Sequence, residues 1–183
     1  MAYLQGQERA DYVQDMFARI AGRYDTMNRL MTFGQDMRWR RDVIRLANLP
    51  AGGRLLDIAT GTGDIADEGR RQVPDLHAVG GDFTIEMMRA GKRLPGRETI
   101  RWVAADTLAL PFPDETFDAV TSGFLMRNVI DVAGAFREQW RVMRPGGRVV
   151  VLESSPPKDN LLRPFIKIHL NTVIPTLGRL ITG

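Results

Sequence analysis

The chain has 183 residues, 44% hydrophobic and 26% charged, with a formal net charge of +3. That composition suits one folded domain with one core and argues against a disordered chain. There is no cysteine, and the two histidines, His77 and His169, lie far apart. Disulfides, thiolate metal sites and a cysteine nucleophile are thereby excluded, and no metal site is expected.

Val13, Met16, Phe17 and Ile20 fall at i, i+3, i+4, i+7 and predict an amphipathic helix from Glu8 to Ala21. A polar stretch with an aromatic, Arg23 to Asn28, follows. An arginine-rich helix is expected from Gln35 to Leu46, ending before Asn48 and Pro50. At Ala51-Gly52-Gly53 the character changes. Arg54 to Ala59 reads as a buried strand, and Gly61 and Gly63 turn the chain into a helix over Asp64 to Gln72. Leu76 to Gly80 is the second strand, ending at Asp82. Thr84 is placed as N-cap of a helix carrying Ile85, Met88 and Leu94, with Met87 beside that face. Ile100 to Ala104 is the third strand, ending at Asp106, and Pro111 and Pro113 mark a loop. Phe117 to Ser122 is the fourth. Asp131 can cap a helix bearing Val132, Phe136, Trp140 and Met143, stopped by Pro145-Gly146-Gly147, and Arg148 to Glu153 is the fifth strand. Strands alternating with helices at this spacing imply a parallel sheet covered on both faces, a doubly wound α/β fold.

Ligands of such sheets bind beyond the carboxyl ends of the strands, where Asp57, Gly61, Gly63, Asp82, Asp106 and Gly123 fall. Gly61-Thr62-Gly63-Asp64-Ile65-Ala66 fits the dinucleotide fingerprint G-x-G-x-x-A, and Asp82 lies 19 residues after Gly63, where a ribose-binding acid belongs. NAD is therefore a live reading. Against it, a carboxylate at Asp57 would face a pyrophosphate's negative charge, and Asp106 can accept from an adenine amino group. Three acids around one glycine loop favour a cofactor that carries an ammonium and a sulfonium. Taken singly, each acid is as well explained as a cap or a solvated loop residue.

Leu55-Leu56-Asp57-Ile58-Ala59-Thr60-Gly61-Thr62-Gly63-Asp64 resembles motif I of the class I S-adenosylmethionine-dependent methyltransferases. More narrowly, the chain resembles the ubiquinone/menaquinone biosynthesis C-methyltransferases. The match runs from Met16-Phe17 through Tyr24-Asp25-x-Met27-Asn28 to Leu30-Met31-Thr32-Phe33-Gly34 with Trp39. It continues in Ala109 to Asp114 with Phe117-Asp118, in Arg127-Asn128-Val129, and in Arg141 to Arg148 with Leu152-Glu153. The resemblance implies a Rossmann-like fold with a helical N-terminal cap at 1–50 and a cofactor-binding core at 51–155, and the apolar spacing after Pro157 reads as a terminal helix at 156–183. It implies S-adenosyl-L-methionine as cofactor: Thr62 and its glycine neighbours on the methionine portion, Asp82 on the ribose, and Asp106-Thr107 around the adenine. Gly123 stands where the family usually carries serine, and Ala59-Thr60 where small residues or glycine are usual.

The reaction so implied moves a methyl group to a ring carbon of a reduced, prenylated quinone, demethylmenaquinol or a related ubiquinol precursor. The resemblance points to Tyr24, Asp64, Arg127 and Asn128 for catalysis. Guanidinium stays protonated, so Arg127 is expected to stabilise an oxyanion, with Asp64 as proton acceptor and Tyr24 and Asn128 on the quinol oxygens. Phe17, Met27, Met31 and Phe33 are candidates for a channel holding a polyprenyl tail. Members of the family continue for a few dozen residues and two strands past the point that Gly183 matches. That leaves an uncovered edge at Val149 to Leu152 and an apolar stripe, Leu162 to Ile181, beside Arg163, Lys167 and Arg179. Self-association and contact with a membrane surface are expected from those features. No leader-like apolar core occurs in Met1 to Ala10, so a cytoplasmic location is expected. Another phenolic or lipid acceptor, and a non-catalytic cofactor-binding subunit, remain open readings.

Overall fold

The structure, a computed structural model, describes residues 6–154. Its elements are α1 (Gly6–Ile20), a 3-10 turn (Ala21–Arg23), α2 (Tyr24–Thr32), α3 (Gln35–Ala47), β1 (Arg54–Ile58), α4 (Asp64–Gln72), β2 (His77–Asp82), α5 (Ile85–Lys92), β3 (Arg101–Ala104), β4 (Phe117–Gly123), α6 (Val132–Val142) and β5 (Met143–Leu152). All strand pairs are parallel, in the order β3-β2-β1-β4-β5. The order reverses between β1 and β4, the position where parallel α/β sheets open a ligand cleft.

The central strand shows why this sequence folds so. Leu55 packs on one face with Val43, Ile44 and Ala47 of α3 and Ile65 and Ala66 of α4. Leu56 and Ile58 point to the other face, against Phe117, Val120, Val142 and Met143. All three β1 side chains are at most 1% exposed, and burying each contributes about 1.5–3 kcal/mol.

Five expectations change. The stretch after Arg23 is helical: α2 ends in a left-handed cap at Phe33, φ 51°, before Gly34. Thr84 does hold the N-cap position of α5, but its side chain makes no capping bond, and Asp82 Oδ1 instead accepts from the Thr84 backbone N–H at 2.7 Å. The buried face of α5 is Met87, Met88 and Gly91, while Ile85 is exposed. On α6, Asp131 caps as expected by accepting from Gly134 N, yet Val132, Phe136 and Trp140 are exposed, and Gly134, Ala135, Gln139 and Val142 are buried. The helix ends at Val142 without help from Pro145, because Met143 already pairs with Phe117. The Pro-Gly-Gly turn forms the register shift inside β5 rather than a helix stop.

Among the described residues no helix is long and apolar enough to cross a membrane. The expected terminal helix at 156–183, with its apolar stripe and cations, lies outside the described residues.

Candidate cofactor and substrate cleft

A cleft opens at the reversal point. Its floor is the carboxyl ends of the strands: Ile58, Ala59 and Gly61 after β1, Asp82 to Thr84 after β2, Ala105 to Leu108 after β3, and Gly123 to Leu125 after β4. Its roof is α1, whose Ala10, Val13, Gln14 and Phe17 face inward, and Tyr24 of α2 with Asn128, Val129 and Ile130 completes the lining. The apolar stripe of α1 thus covers the cleft rather than the core, and no residue of that helix is buried. Two bonds tie α1 across the opening. Gln14 Nε2 donates to Phe83 O at 3.2 Å and Arg9 Nη2 donates to Arg127 O at 2.6 Å.

Seven of the candidate residues line this cleft: Tyr24, Gly61, Asp82, Asp106, Thr107, Gly123 and Asn128. Asp82 is central. Its Oδ2 accepts from Gly61 N and its Oδ1 from Thr84 N, both at 2.7 Å, so it clamps the glycine loop while lining the cavity. Burial holds its carboxyl above the usual carboxylate range. Thr107 Oγ1 is buried and makes no hydrogen bond among the described residues, while Asp106 Oδ1 accepts from Leu108 N at 2.9 Å. An acid that can accept from vicinal hydroxyls, an orphaned hydroxyl and apolar walls at Phe83, Met87 and Leu108 fit an adenosine-like ligand.

Five candidates do not line it: Asp57, Thr62, Gly63, Asp64 and Arg127. Asp57 is 1% exposed, and its two oxygens accept from Thr60 Oγ1 at 2.6 Å and Thr121 Oγ1 at 2.9 Å. Burial, opposed by those hydroxyls, lifts its carboxyl to about 7. The reading of Asp57 as a charge facing the ligand is corrected accordingly: its partners are internal, and it no longer argues against a pyrophosphate. Asp64, expected as proton acceptor, is held by two buried arginines. Arg97 pairs with one of its oxygens and Arg40 Nη2 lies 3.0 Å from the other. Arg127 stacks over Phe124 with its guanidinium carbon 4.9 Å from the ring centroid, and Nη1 donates to Ser154 Oγ at 2.8 Å. Of the tail-channel candidates, Phe17 lines the cleft; Met27, Met31 and Phe33 do not, and Phe33 is 80% exposed.

The loop is fixed from beneath by groups that sequence reasoning missed. Arg97 donates to Thr62 O, Arg40 pairs with Asp36, and Thr62 Oγ1 donates to Asp25 Oδ1 at 2.6 Å. Burial and the neighbouring Asp64 charge raise the Asp25 carboxyl. A signal for part of this was present: Asp36 and Arg40 fall on the same helical stripe as Val43, Ile44 and Ala47, where an ion pair has no reason to be unless it serves something. The loop also depends on close approach. Gly63 has φ 85°, and a Cβ there would lie 2.6 Å from the Trp102 ring; a Cβ on Gly91 would lie 2.6 Å from Thr62 O, so α5 can pack on the loop only as glycine.

Tyr24 packs edge-on against Phe17, ring centroids 5.9 Å apart. Burial raises its hydroxyl pKa, against the lowering effect of the Asn28 amide and of the Arg40 and Arg127 charges. It therefore remains a proton donor at neutral pH, within the field of Arg127 though not in contact with it.

The model of the ubiE/COQ5 methyltransferase family matches residues 5–183. A demethylmenaquinone methyltransferase of Roseiflexus castenholzii is 50% identical over 173 residues, covering 94% of this chain and 72% of its own. The ubiquinone/menaquinone biosynthesis C-methyltransferase UbiE of Desulfotalea psychrophila is 47% identical over 171 residues, with 93% and 70% covered. Among solved structures, the YcgJ protein of Bacillus subtilis superposes with a TM-score of 0.56 at 32% identity, over 70% of this chain and 55% of that one.

Proposed function

Since the chain belongs to the ubiE/COQ5 methyltransferase family, we propose that it transfers a methyl group from S-adenosyl-L-methionine to a ring carbon of a reduced prenylated quinone, demethylmenaquinol or a related ubiquinol precursor. The observation that carries this reading is that one cleft brings together Asp82 and the orphaned Thr107 hydroxyl with Phe17, Tyr24 and Asn128. Asp82 would hold the ribose and Asp106-Thr107 the adenine. Gly61, Thr62 and Gly63 shape the loop for the methionine portion, and Asp57, Asp64, Asp25, Arg40 and Arg97 keep that loop in place from within.

The bound cofactor supplies an electrophilic methyl group. The protein's task is the acceptor, whose carbon becomes nucleophilic when a neighbouring phenol gives its proton to bulk water; the methylated dienone then tautomerises back to the phenol after release, so one proton is lost overall to solvent. A phenol near pKa 10 costs about 4 kcal/mol to ionise at pH 7. A hydrogen bond donated to a charged oxygen contributes about 1.5–3 kcal/mol. Tyr24, kept protonated by burial, donates one such bond to the quinol oxygen. Asn128, whose Nδ2 donates to Phe124 O at 3.0 Å, lines the same cleft and positions the ring, and the Arg127 charge stabilises the phenolate from outside the cleft. The Asp64 carboxylate neutralises the two arginines beneath the loop in this scheme, in place of taking a proton. The roof helix α1 excludes water from the reacting carbon.

Tyr24→Phe keeps the ring against Phe17 and removes only the donor. It is expected to lower turnover roughly tenfold to a hundredfold with cofactor affinity unchanged. Transfer of labelled methyl from S-adenosylmethionine to a reduced demethylated quinone measures it. A wild-type protein that binds the cofactor and methylates no quinol would refute the acceptor assignment, and unchanged turnover in Tyr24→Phe would remove Tyr24 from the mechanism.

The proposed location is the cytoplasmic side of a membrane, because the acceptor is lipid-soluble. Self-association is proposed as well. It is supported by β5, which lies at the sheet edge among the described residues, beside Phe136 and Trp140, which are 42% and 72% exposed. Light scattering at micromolar concentration should then give a mass above 20.6 kDa, and a monodisperse monomer would reject it.

A further inference from the structure

The α2–α3 hairpin carries a surface that nothing in the methyl-transfer scheme uses. Leu30 is 48% exposed, Phe33 at the turn 80%, Trp39 37% and Leu46 55%. Arg38, Trp39, Asp42, Arg45 and Leu46 share the outer side of α3 by their i, i+3, i+4, i+7 spacing, opposite the buried Asp36, Arg40, Val43, Ile44 and Ala47. Between residues 29 and 46 the exposed arginines are Arg29, Arg38, Arg41 and Arg45. The sole acid there that is not buried with Arg40 is Asp42, which pairs with Arg45 at 3.1 Å. Exposed apolar side chains are thus interleaved with a net positive field.

We propose that this outer face of the α2–α3 hairpin docks on an anionic lipid surface. The chemistry selects that partner. Guanidinium groups pair with headgroup phosphates while leucine, phenylalanine and tryptophan enter the acyl boundary. A nucleic acid would match the arginines but gives Leu30 and Leu46 no apolar phase to enter. The place in the fold agrees. Tyr24, the first residue of α2, lines the cleft, so the docking face, from Leu30 to Phe33, lies about 9–13 Å along the helix from the cleft wall. An acceptor drawn from the bilayer would then reach Tyr24 along α2. That last step rests on the quinol reading; the docking surface itself does not.

Flotation of the full chain with phosphatidylcholine vesicles, with and without phosphatidylglycerol, tests the proposal. Binding should require the anionic lipid and weaken as salt is raised. Arg38→Glu with Arg41→Glu should lower the partition coefficient about tenfold or more. Leu30→Ser with Phe33→Ser should lower it as well, and Trp140→Ser on α6 should leave it unchanged. The tryptophan emission should shift to the blue on anionic vesicles, and Trp39→Phe should abolish the shift. Equal binding to neutral vesicles, wild-type binding by both double variants, or a shift that survives Trp39→Phe and disappears in Trp140→Phe would overturn it. Turnover of a tail-free quinol analogue in the arginine variant separates the two readings. It should equal that of the wild type if docking alone has failed, and a wild type inactive on every quinol would refute the acceptor while leaving the vesicle result to stand or fall on its own.

Discussion

Asp82→Ala is expected to weaken S-adenosylmethionine binding about 100-fold or more, from two effects that act together. The first is direct. The carboxylate would accept from both ribose hydroxyls, and each such charge-assisted bond contributes about 1.5–3 kcal/mol. The second comes from the loop. Asp82 accepts from the backbone N–H groups of Gly61 and Thr84, and alanine leaves both without their partner in a site that is 8% exposed. Each orphaned donor costs about 1–3 kcal/mol, so the folded protein should also lose a few kcal/mol. Calorimetric titration with the cofactor, at a temperature where circular dichroism shows the variant folded, separates the affinity from the stability. Asp82→Asn is the companion variant: it keeps the volume and one acceptor but turns an amino group toward a backbone N–H, so the affinity should fall there too. Unchanged affinity in either folded variant would take Asp82 out of the ribose site.

The parts of the fold that were legible from sequence are those where one residue pattern answers to one environment. Leu55, Leu56 and Ile58 had to be a central strand because a parallel sheet buries both faces. The acids after β2 and β3 reached the cleft because strand ends in this topology lead there. The unreadable parts are those where a residue answers to a partner far away in sequence. The segment Tyr24 to Thr32 mixes polar and apolar residues with no period that separates helix from loop, and its helix is fixed by neighbours, through Thr62 on Asp25 and Phe17 on Tyr24. Val132, Phe136 and Trp140 do form a stripe, but the sheet takes the opposite side of α6, through Ala135 and Val142. Helical spacing predicts that a face exists and does not say which face is covered. Arg97 and Gly91 carry no local signal at all; their meaning appears only when Thr62 is seen beside both.

Asp57 gives the other large effect, and its sign is opposite to that of an ordinary paired carboxylate. Motif I places an acid at the end of a central strand, and the fold surrounds it so completely that its donors are the Thr60 and Thr121 hydroxyls and the Ala66 backbone. These donors do not replace the water that a carboxylate gives up on burial, so the folded protein holds the proton up to about pH 7, against 3.8 for the unfolded chain. The native state then binds more protons than the unfolded state between those two values. Its stability is fully present below pH 3.8 as far as this group is concerned, and it declines as the pH rises to about 7. About 3 pH units of difference correspond to about 4 kcal/mol, lost by the time the pH passes 7. Asp57→Asn keeps the shape and cannot ionise, so its advantage over the wild type should grow from about 2 kcal/mol at pH 5 to about 4 kcal/mol at pH 8. Urea unfolding at pH 5, 6, 7 and 8 compares the two slopes. Parallel curves for the two proteins would show that Asp57 titrates alike in the folded and the unfolded chain, and would overturn burial as the effect that sets its proton.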